Sequence, residues 1–500
     1  MGAEEGDGGS MESSLNALRV LGAWGVTRLV SDSRAVRLGD AFVAYPGETL
    51  DGRAFIPQAI AAGASAVLWE SAHYQWNFGA RVKHWPVRGL RAKVGAMASH
   101  VCGRPSSRLW MVGVTGTNGK TSCTQWIARA LTKTSRNSVV TGTLGNGFPH
   151  AMEVTANTTS DATVLHAKLA QWYGEGARAA VMEVSSHGLE QGRLAGVEFD
   201  VAVFTNLTRD HLDYHRTMAA YGRAKARLFA WETLQYAIVN LDDAFGRKLA
   251  HVPRHAEVIG YGFGRSVSAS RVPVVAGRNL RVGLDGIRFD AATPWGALKV
   301  QSLVLGRFNA ENLLATATAL LASGVSPRDT EAALAALTPV PGRAEFIGGG
   351  SQPVVVVDYA HTPDALDKTL ATLRELMSAR ARLICVFGCG GDRDRGKRPQ
   401  MGRIATRRAD EVIVTSDNPR NEAPMDIIAE IMKGAIQGAR RCTVIENRAQ
   451  AVREAIGGAR RGDIVLIAGK GHELYQEIAG VRHPYSDLAT ARWAMRAAHA

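Results

Sequence analysis

The chain has 500 residues, 46% of them apolar, and a formal net charge of +13. This length exceeds one ordinary hydrophobic core, so two to four domains are expected. No run approaches the roughly eighteen uncharged apolar residues of a membrane-spanning helix, and the five cysteines, Cys102, Cys123, Cys385, Cys389 and Cys442, include no CxxC pair. That spacing argues against a disulfide framework or a cysteine zinc site and favours a reducing cytoplasm. The positive charge suits either nucleic acid or an enzyme that handles phosphates and carboxylates. The arginines are spread along the chain rather than gathered into one arm, and composition alone does not separate the two readings.

In chain order, residues 1–10 are acidic and glycine-rich, without the basic start and apolar run of a secretory signal. They read as a disordered tail, with Met11 an alternative start. A first segment, residues 1–107, contains a short strand over 40–45 and a helix-like run over 56–63. Gly103-Arg104-Pro105-Ser106-Ser107 reads as a linker. The second segment, 108–339, opens with an apolar run over 109–114, bounded by glycine, which predicts a buried strand. Further strands are expected at 179–184, 201–205 and 236–240, with helices at 121–133 and 308–321. Alternating strands and helices predict an α/β fold with a mostly parallel sheet. Val340-Pro341-Gly342-Arg343 marks the next boundary. The third segment, 340–500, repeats the theme with strands at 354–357, 383–387, 411–415 and 464–467. The loops that follow these strands are dense in polar residues, at the edge where open α/β sheets bind ligands.

Several motifs carry chemistry. Gly116-Thr117-Asn118-Gly119-Lys120-Thr121-Ser122 lies between a strand and a helix, the setting of a phosphate-binding loop. Glycines admit backbone N–H groups close to phosphate oxygens, and the helix N-terminus adds positive potential. Lys120 would reach the β- and γ-phosphates of ATP, and the Thr121 hydroxyl would meet Mg²⁺. The strict GxxxxGK(S/T) pattern is broken at its first glycine, which here is Val114. Glu183, at a strand end, reads as a Mg²⁺ ligand or as an ordinary strand-end carboxylate. Asp210-His211-Leu212-Asp213-Tyr214-His215 allows a metal or substrate contact or plain structure. A helix would put His211 and His215 on one face, but the glutamate of the zinc motif HExxH is missing. Lys225 reads as a solvated helix lysine. Arg393 and Arg420 suit either a carboxylate clamp or a surface ion pair.

Together the phosphate loop, Asn157-Thr158-Thr159, Glu183-Val184-Ser185-Ser186-His187, Asn206 to His211, Gly306 to Asn312 and Asp358-Tyr359-Ala360-His361 resemble, in that order, the Mur ligases of peptidoglycan synthesis. Ser31-Asp32-Ser33-Arg34 and Asp51-Gly52-Arg53 are similar to the subgroup that adds the third peptide residue. The resemblance implies three α/β domains. These are a small nucleotide-sugar domain (1–107), a central P-loop ATPase-like domain (108–339) and a Rossmann-like amino-acid domain (340–500). It implies ATP and Mg²⁺, with Lys120, Glu183, His211 and a carbamylated Lys225 as catalytic residues, and Thr121, Glu183, His211 and Lys225 at the metal. Asn309 and Arg343 would join the phosphate loop around ATP. Ser31, Ser33, Glu48, Thr49 and Leu50, with Asn157, Thr158, Thr159, Ser185, Gln191 and Arg193, would hold UDP-N-acetylmuramoyl-L-Ala-D-Glu. Arg393, Asp417, Asn418, Pro419, Arg420, Gly469 and Glu473 would hold meso-diaminopimelate. In that reading Arg420 clamps the distal carboxylate, and Asp417 and Glu473 hold the distal ammonium. The implied protein is a cytoplasmic monomer that acts on small molecules, with no nucleic acid and no membrane insertion. The alternatives are an L-lysine-adding ligase, a folylpolyglutamate synthetase-like ligase and a non-catalytic nucleic-acid scaffold.

Overall fold

The structure, a computed structural model, describes residue 16 and residues 19–47, 50–79, 82–134, 136–153, 158–253, 255–283, 285–435 and 441–497. The expected N-terminal tail, Glu48, Thr49 and Asn157 lie outside the described residues. Three large sheets follow one another along the chain. The first has four parallel strands, Leu29–Val30, Ala41–Ala44, Ala66–Glu70 and Lys83–Val87, paired in chain order. The stretch read as a linker is ordered. Pro105–Arg108 forms a 3₁₀ turn, and the buried Ser106 accepts the Glu198 N–H at 3.1 Å.

The second sheet has eleven strands, and its parallel centre runs Glu257–Gly262, Tyr236–Asn240, Val201–Phe204, Trp110–Thr115, Ala179–Glu183, Ser138–Gly142. These central strands read as unbroken apolar runs because helices cover both faces. The helix Lys120–Thr134 packs on one face, and Arg307–Ala322 is buried along nearly its whole length. A helix apolar on all sides belongs inside the core rather than on its surface. The sheet is wider than expected from the sequence. Antiparallel strands Gly145–Phe148 and Ala151–Glu153 extend one edge. At the other edge, Val274–Gly283 starts parallel to Glu257–Gly262, and Gly286–Thr293 and Gly296–Ser302 add antiparallel pairs.

The third sheet runs Glu345–Gly348, Val354–Asp358, Ile464–Ala468, Leu383–Phe387, Glu411–Val414, Arg441–Val444, parallel except at its first pair. Its register aligns Asp358 with Ala468 and Phe387 with Val414. The loops after four strands therefore emerge along one edge. Among the described residues, no helix is long and apolar enough to cross a membrane.

One buried ion pair ties this third unit to its last helix. Arg448 and Asp487 are both fully buried and share two hydrogen bonds of 2.8 Å. Removing one partner leaves an uncompensated charge in the interior, at a cost of about 3–5 kcal/mol. Asp487→Ala should lower the urea midpoint of the C-terminal unit accordingly. Replacing both partners, Arg448→Met with Asp487→Leu, should restore most of it. Equal loss in the single and double variants would contradict this.

Candidate active site

The central strand Trp110–Thr115 delivers the loop that starts at Gly116. Its register puts Val114 beside Glu183 on one neighbour and Thr115 beside Phe204 on the other. Loop, carboxylate and the Asn206–His211 segment thus meet at one sheet edge. Gly119 has φ +86°, and a Cβ there would strike the Asn312 side-chain oxygen. A Cβ on Gly116 would collide with the Thr205 hydroxyl. The loop holds this form only with glycine at both places. The Asn118 N–H donates to Asn206 Oδ1 at 3.0 Å, and the Thr117 N–H to the Asn206 carbonyl at 2.8 Å.

Lys120 and Lys225 both end on the loop's first carbonyl. Lys120 Nζ donates to Gly116 O at 3.0 Å and to Thr117 O at 2.9 Å, while Lys225 Nζ donates to Gly116 O at 2.8 Å. Lys225 is therefore not the solvated lysine that its local sequence suggested. It is buried, 4.5 Å from the centre of the Tyr221 ring. Burial, and then the charge of Lys120, push its ammonium well below the ordinary lysine range. Burial also lowers Lys120, against the opposing pull of Glu183 and Asp210.

Glu183 is buried. Its Oε2 accepts the Thr121 and Thr143 hydroxyls, each at 3.0 Å, and its Oε1 accepts the Thr143 N–H at 2.9 Å. Thr121 Oγ1 also accepts Arg343 Nη2 at 2.8 Å. The guanidinium of Arg343 lies 4.3 Å from the Tyr359 ring centre, and its Nε is buried without a partner among the described residues. An orphaned cationic donor beside a glycine-rich helix N-terminus suits an anion such as a phosphate.

The His211 and His215 rings both lie against His187, with ring centres 4.9 and 5.4 Å away, and against Tyr221, and the His215 N–H donates to the His211 carbonyl at 2.9 Å. His211 has φ +54° and precedes a single short turn, Leu212–His215. The His211 ring faces Asp210 at 3.4 Å, whereas His215 Nε2 meets Ser186 Oγ at 2.9 Å. Among the described residues there is no group of three His, Cys, Asp or Glu side chains spaced to hold a metal. Burial would raise the Asp210 carboxyl, but Lys397, His361 and His211 outweigh it and hold it well below the usual range.

A cavity of ≈ 550 Å³ joins these groups. Thr117 to Ser122, Thr158, Thr159, Glu183, Ser185, Gln191, Arg193, His211, Lys225, Arg343 and Arg393 line it. Sequence reasoning assigned no individual role to several other lining residues, among them Thr143, His187, Asp358, Tyr359, His361 and Lys368. The motif around Asp358 was a usable signal, while nothing in the local sequence marks Thr143 or Lys368. Arg193 donates to the Thr159 carbonyl at 2.9 Å, and the Thr159 and Ser185 hydroxyls are 3.1 Å apart. An adjoining cavity of ≈ 380 Å³ holds Asn309, Ser122 and Arg343 with Trp126, Val340 and Phe346.

The third unit closes on this site. Arg209 grips Asp394 through two bonds of 3.0 and 3.1 Å, Asn118 Nδ2 donates to Asp364 at 3.1 Å, and Lys397 lies 3.7 Å from Asp210. The remaining expected residues lie apart from the main cavity. Ser31 bonds Asp161 at 3.0 Å, Ser33 bonds Gln58 at 3.0 Å, and Leu50 is exposed. Asp417, Asn418, Pro419, Arg420, Gly469 and Glu473 form a second cluster along the edge of the third sheet. There Arg420, with φ +52°, donates to Gly391 O at 2.7 Å.

Comparison with known proteins bears on all three sheets. Residues 26–101 match the family described as "Mur ligase family, catalytic domain", 114–320 "Mur ligase middle domain", and 342–471 "Mur ligase, glutamate ligase domain". A protein of Nitrosomonas europaea named UDP-N-acetylmuramoyl-L-alanyl-D-glutamate--2,6-diaminopimelate ligase is 50% identical over 483 residues, covering 93% of this chain and 92% of its own. One of the same name from Pseudomonas aeruginosa is 49% identical, covering 94% and 95%. A solved structure titled with that name has 38% identity and a TM-score of 0.66, covering 95% of this chain and 96% of its own.

Three imidazoles near the site are held neutral by burial. His187 is pushed down to about 4, and His211 and His472 to about 3. From the ordinary value of about 6.5 down to about 3, the unfolded chain binds protons that the folded chain refuses. Stability therefore falls with falling pH across this window. The urea midpoint should drop between pH 7 and pH 4.5, less steeply in His472→Asn. An unchanged slope in that variant would contradict the assignment.

Proposed function

The chain belongs to the Mur ligase family, and from that premise we propose that it joins meso-diaminopimelate to the D-glutamyl γ-carboxylate of UDP-N-acetylmuramoyl-L-Ala-D-Glu, using ATP. The observation that carries this reading is the cavity that brings Lys120, Glu183, His211, Lys225 and Arg343 together at one sheet edge. Near-half identity over nearly the whole length to ligases of that name supports the substrate pair.

The chemistry follows from the site. A carboxylate is a poor acyl donor. Its oxygen attacks the γ-phosphorus of ATP, the bond to ADP breaks, and an acyl phosphate forms. Lys120 leaves its loop carbonyls for the β- and γ-phosphates, and the orphaned Arg343 Nε takes a phosphate oxygen. Both donors offset charge as it moves. The amine of diaminopimelate then adds to the acyl carbon, phosphate leaves, and the nitrogen sheds its proton. The smaller cavity around Asn309 suits the nucleoside end of ATP.

Hydroxyl and carboxylate oxygens with a neutral imidazole form a donor set suited to a hard divalent cation. Thr121, Glu183 and His211 would hold Mg²⁺, which when bound neutralises phosphate charge. The amine of Lys225 becomes a further anionic ligand only as a carbamate. Burial supports that modification, because the neutral amine is the form that adds to CO₂, with loss of a proton. Ser31, Ser33 and Leu50, with Glu48, Thr49 and Asn157, would bind the nucleotide-sugar side. Thr158, Thr159, Ser185, Gln191 and Arg193 would bind its peptide. Arg393, Asp417, Asn418, Pro419, Arg420, Gly469 and Glu473 would bind diaminopimelate. The domain limits 1–107, 108–339 and 340–500 follow the same division of labour, in a cytoplasmic monomer.

Amine-dependent phosphate release should be strong with meso-diaminopimelate and weak with L-lysine. The reverse order would overturn the proposed substrate. Arg420 carries an excess charge that a lone distal ammonium does not match. Arg420→Ala should raise the KM for diaminopimelate at least ten-fold and leave the KM for ATP within about two-fold. A change confined to ATP would remove Arg420 from the amino-acid site.

A further inference from the structure

Lys470 is fully buried, and the chemistry above gives it no part. It sits in the loop after Ile464–Ala468, and its ammonium donates to Asn418 Oδ1 at 2.8 Å and to Glu473 Oε2 at 2.7 Å. The Tyr475 ring lies 5.6 Å away. Burial would raise the neighbouring Asp417 carboxyl, and Lys470 is the strongest of the charges that instead hold it low. One cation thus gathers three of the residues expected to hold the amino acid.

The hydrogen-bond pattern leaves little freedom. Asn418 Oδ1 accepts both Lys470 Nζ and the Glu477 N–H, the latter at 2.9 Å. Both are donors only, so the amide oxygen must face them and Nδ2 must face away. Nδ2 accordingly donates to Glu473 Oε2 at 2.9 Å. That carboxylate oxygen is therefore filled twice. The other, Oε1, has among the described residues only the Tyr359 hydroxyl, at 3.5 Å, and Tyr359 lines the main cavity. The chain of contacts continues, because the Glu477 carbonyl accepts the Arg420 N–H at 3.1 Å.

We propose that Lys470 is the positioning residue of the amino-acid site: it locks the Asn418 amide and ties down one edge of Glu473, so that a single carboxylate oxygen faces the incoming ammonium. The proposal rests on the reading of that site as the amino-acid pocket. Without Lys470, two carboxylates, Asp417 and Glu473, would stand in the interior with less compensation, and the amide could turn over. Glu473 would then meet an ammonium in several orientations instead of one. Lys470 touches neither reacting atom, so its loss should appear in amino-acid binding rather than in the chemical step.

The test is steady-state phosphate release by the full chain, varying meso-diaminopimelate, ATP and the nucleotide substrate in turn. Lys470→Met should raise the KM for diaminopimelate at least ten-fold, with kcat and the KM for ATP within two-fold. Lys470→Arg, which keeps the charge and donors, should recover most of the loss. A KM for diaminopimelate unchanged in Lys470→Met, or a loss spread equally over all three substrates, would overturn the proposal. Should Lys470→Met fail to fold, Lys470→Met with Glu473→Gln removes both charges. Its KM for diaminopimelate should then match that of Glu473→Gln alone, and a further rise would count against Lys470 acting through Glu473. Wild-type inactivity with diaminopimelate would sink the reading of the site itself, whereas an active wild type with a normal Lys470→Met variant sinks only this inference.

Discussion

Two ammonium groups converge on one backbone carbonyl, that of Gly116, inside the protein. Like charges this close, in surroundings less polarisable than water, repel more strongly than they would at the surface. The fold tolerates them because Glu183 and Asp210 stand nearby and because burial shifts Lys225 towards its neutral form. Arg343 adds a buried Nε donor that has no partner among the described residues. A polyanionic nucleotide answers it. The binding loop, the strand-end glutamate and the histidine segment are best understood as parts of that one electrostatic arrangement.

Parallel register is what assembles it. A parallel sheet releases the loop after each strand at the same edge, so residues 62 and 88 positions apart, Thr121 with Glu183 and Asn118 with Asn206, become neighbours without any local motif requiring it. The third sheet uses the same device for a different end. Its edge gathers Asp417, Asn418, Arg420, Lys470 and Glu473, two cations and two carboxylates around one amide. The first edge suits a ligand rich in negative charge, and the second suits a zwitterion.

Much of this was legible beforehand, for physical reasons. The strands Tyr236–Asn240 and Leu383–Phe387 coincide with the expected runs because doubly covered strands leave no polar face. The Gly-Thr-Asn-Gly-Lys-Thr loop was legible because backbone geometry restricts its glycines. The strands between Val274 and Ser302 were not read, although Ile287 to Ala291 alternates buried and exposed residues. Their apolar–charged alternation was a usable strand signal. Burial of Lys225 was invisible because it depends on a carbonyl 109 residues away. The four-residue spacing of His211 and His215 does bring both rings against His187 and Tyr221, but through a single short turn that His211 caps rather than through a longer helix. Lys470 stood in a recognised loop, but its contact with Asn418 lies on another strand's loop, 52 residues away.

Phe308 packs against the core of the third unit, and several polar contacts that join the second and third units fall on the ligand loops themselves. Asn118 belongs to the phosphate-binding loop, and Arg209 and Asp210 immediately precede His211, yet each meets a residue of the third unit. Linkage then requires reciprocity. Whatever factor a nucleotide contributes to docking of the third unit, through the ordering of these loops, docking returns as the same factor in nucleotide affinity. Weakening Arg209–Asp394 therefore reaches the phosphates without touching them. Nucleotide affinity in this chain then belongs to two units, not to one loop.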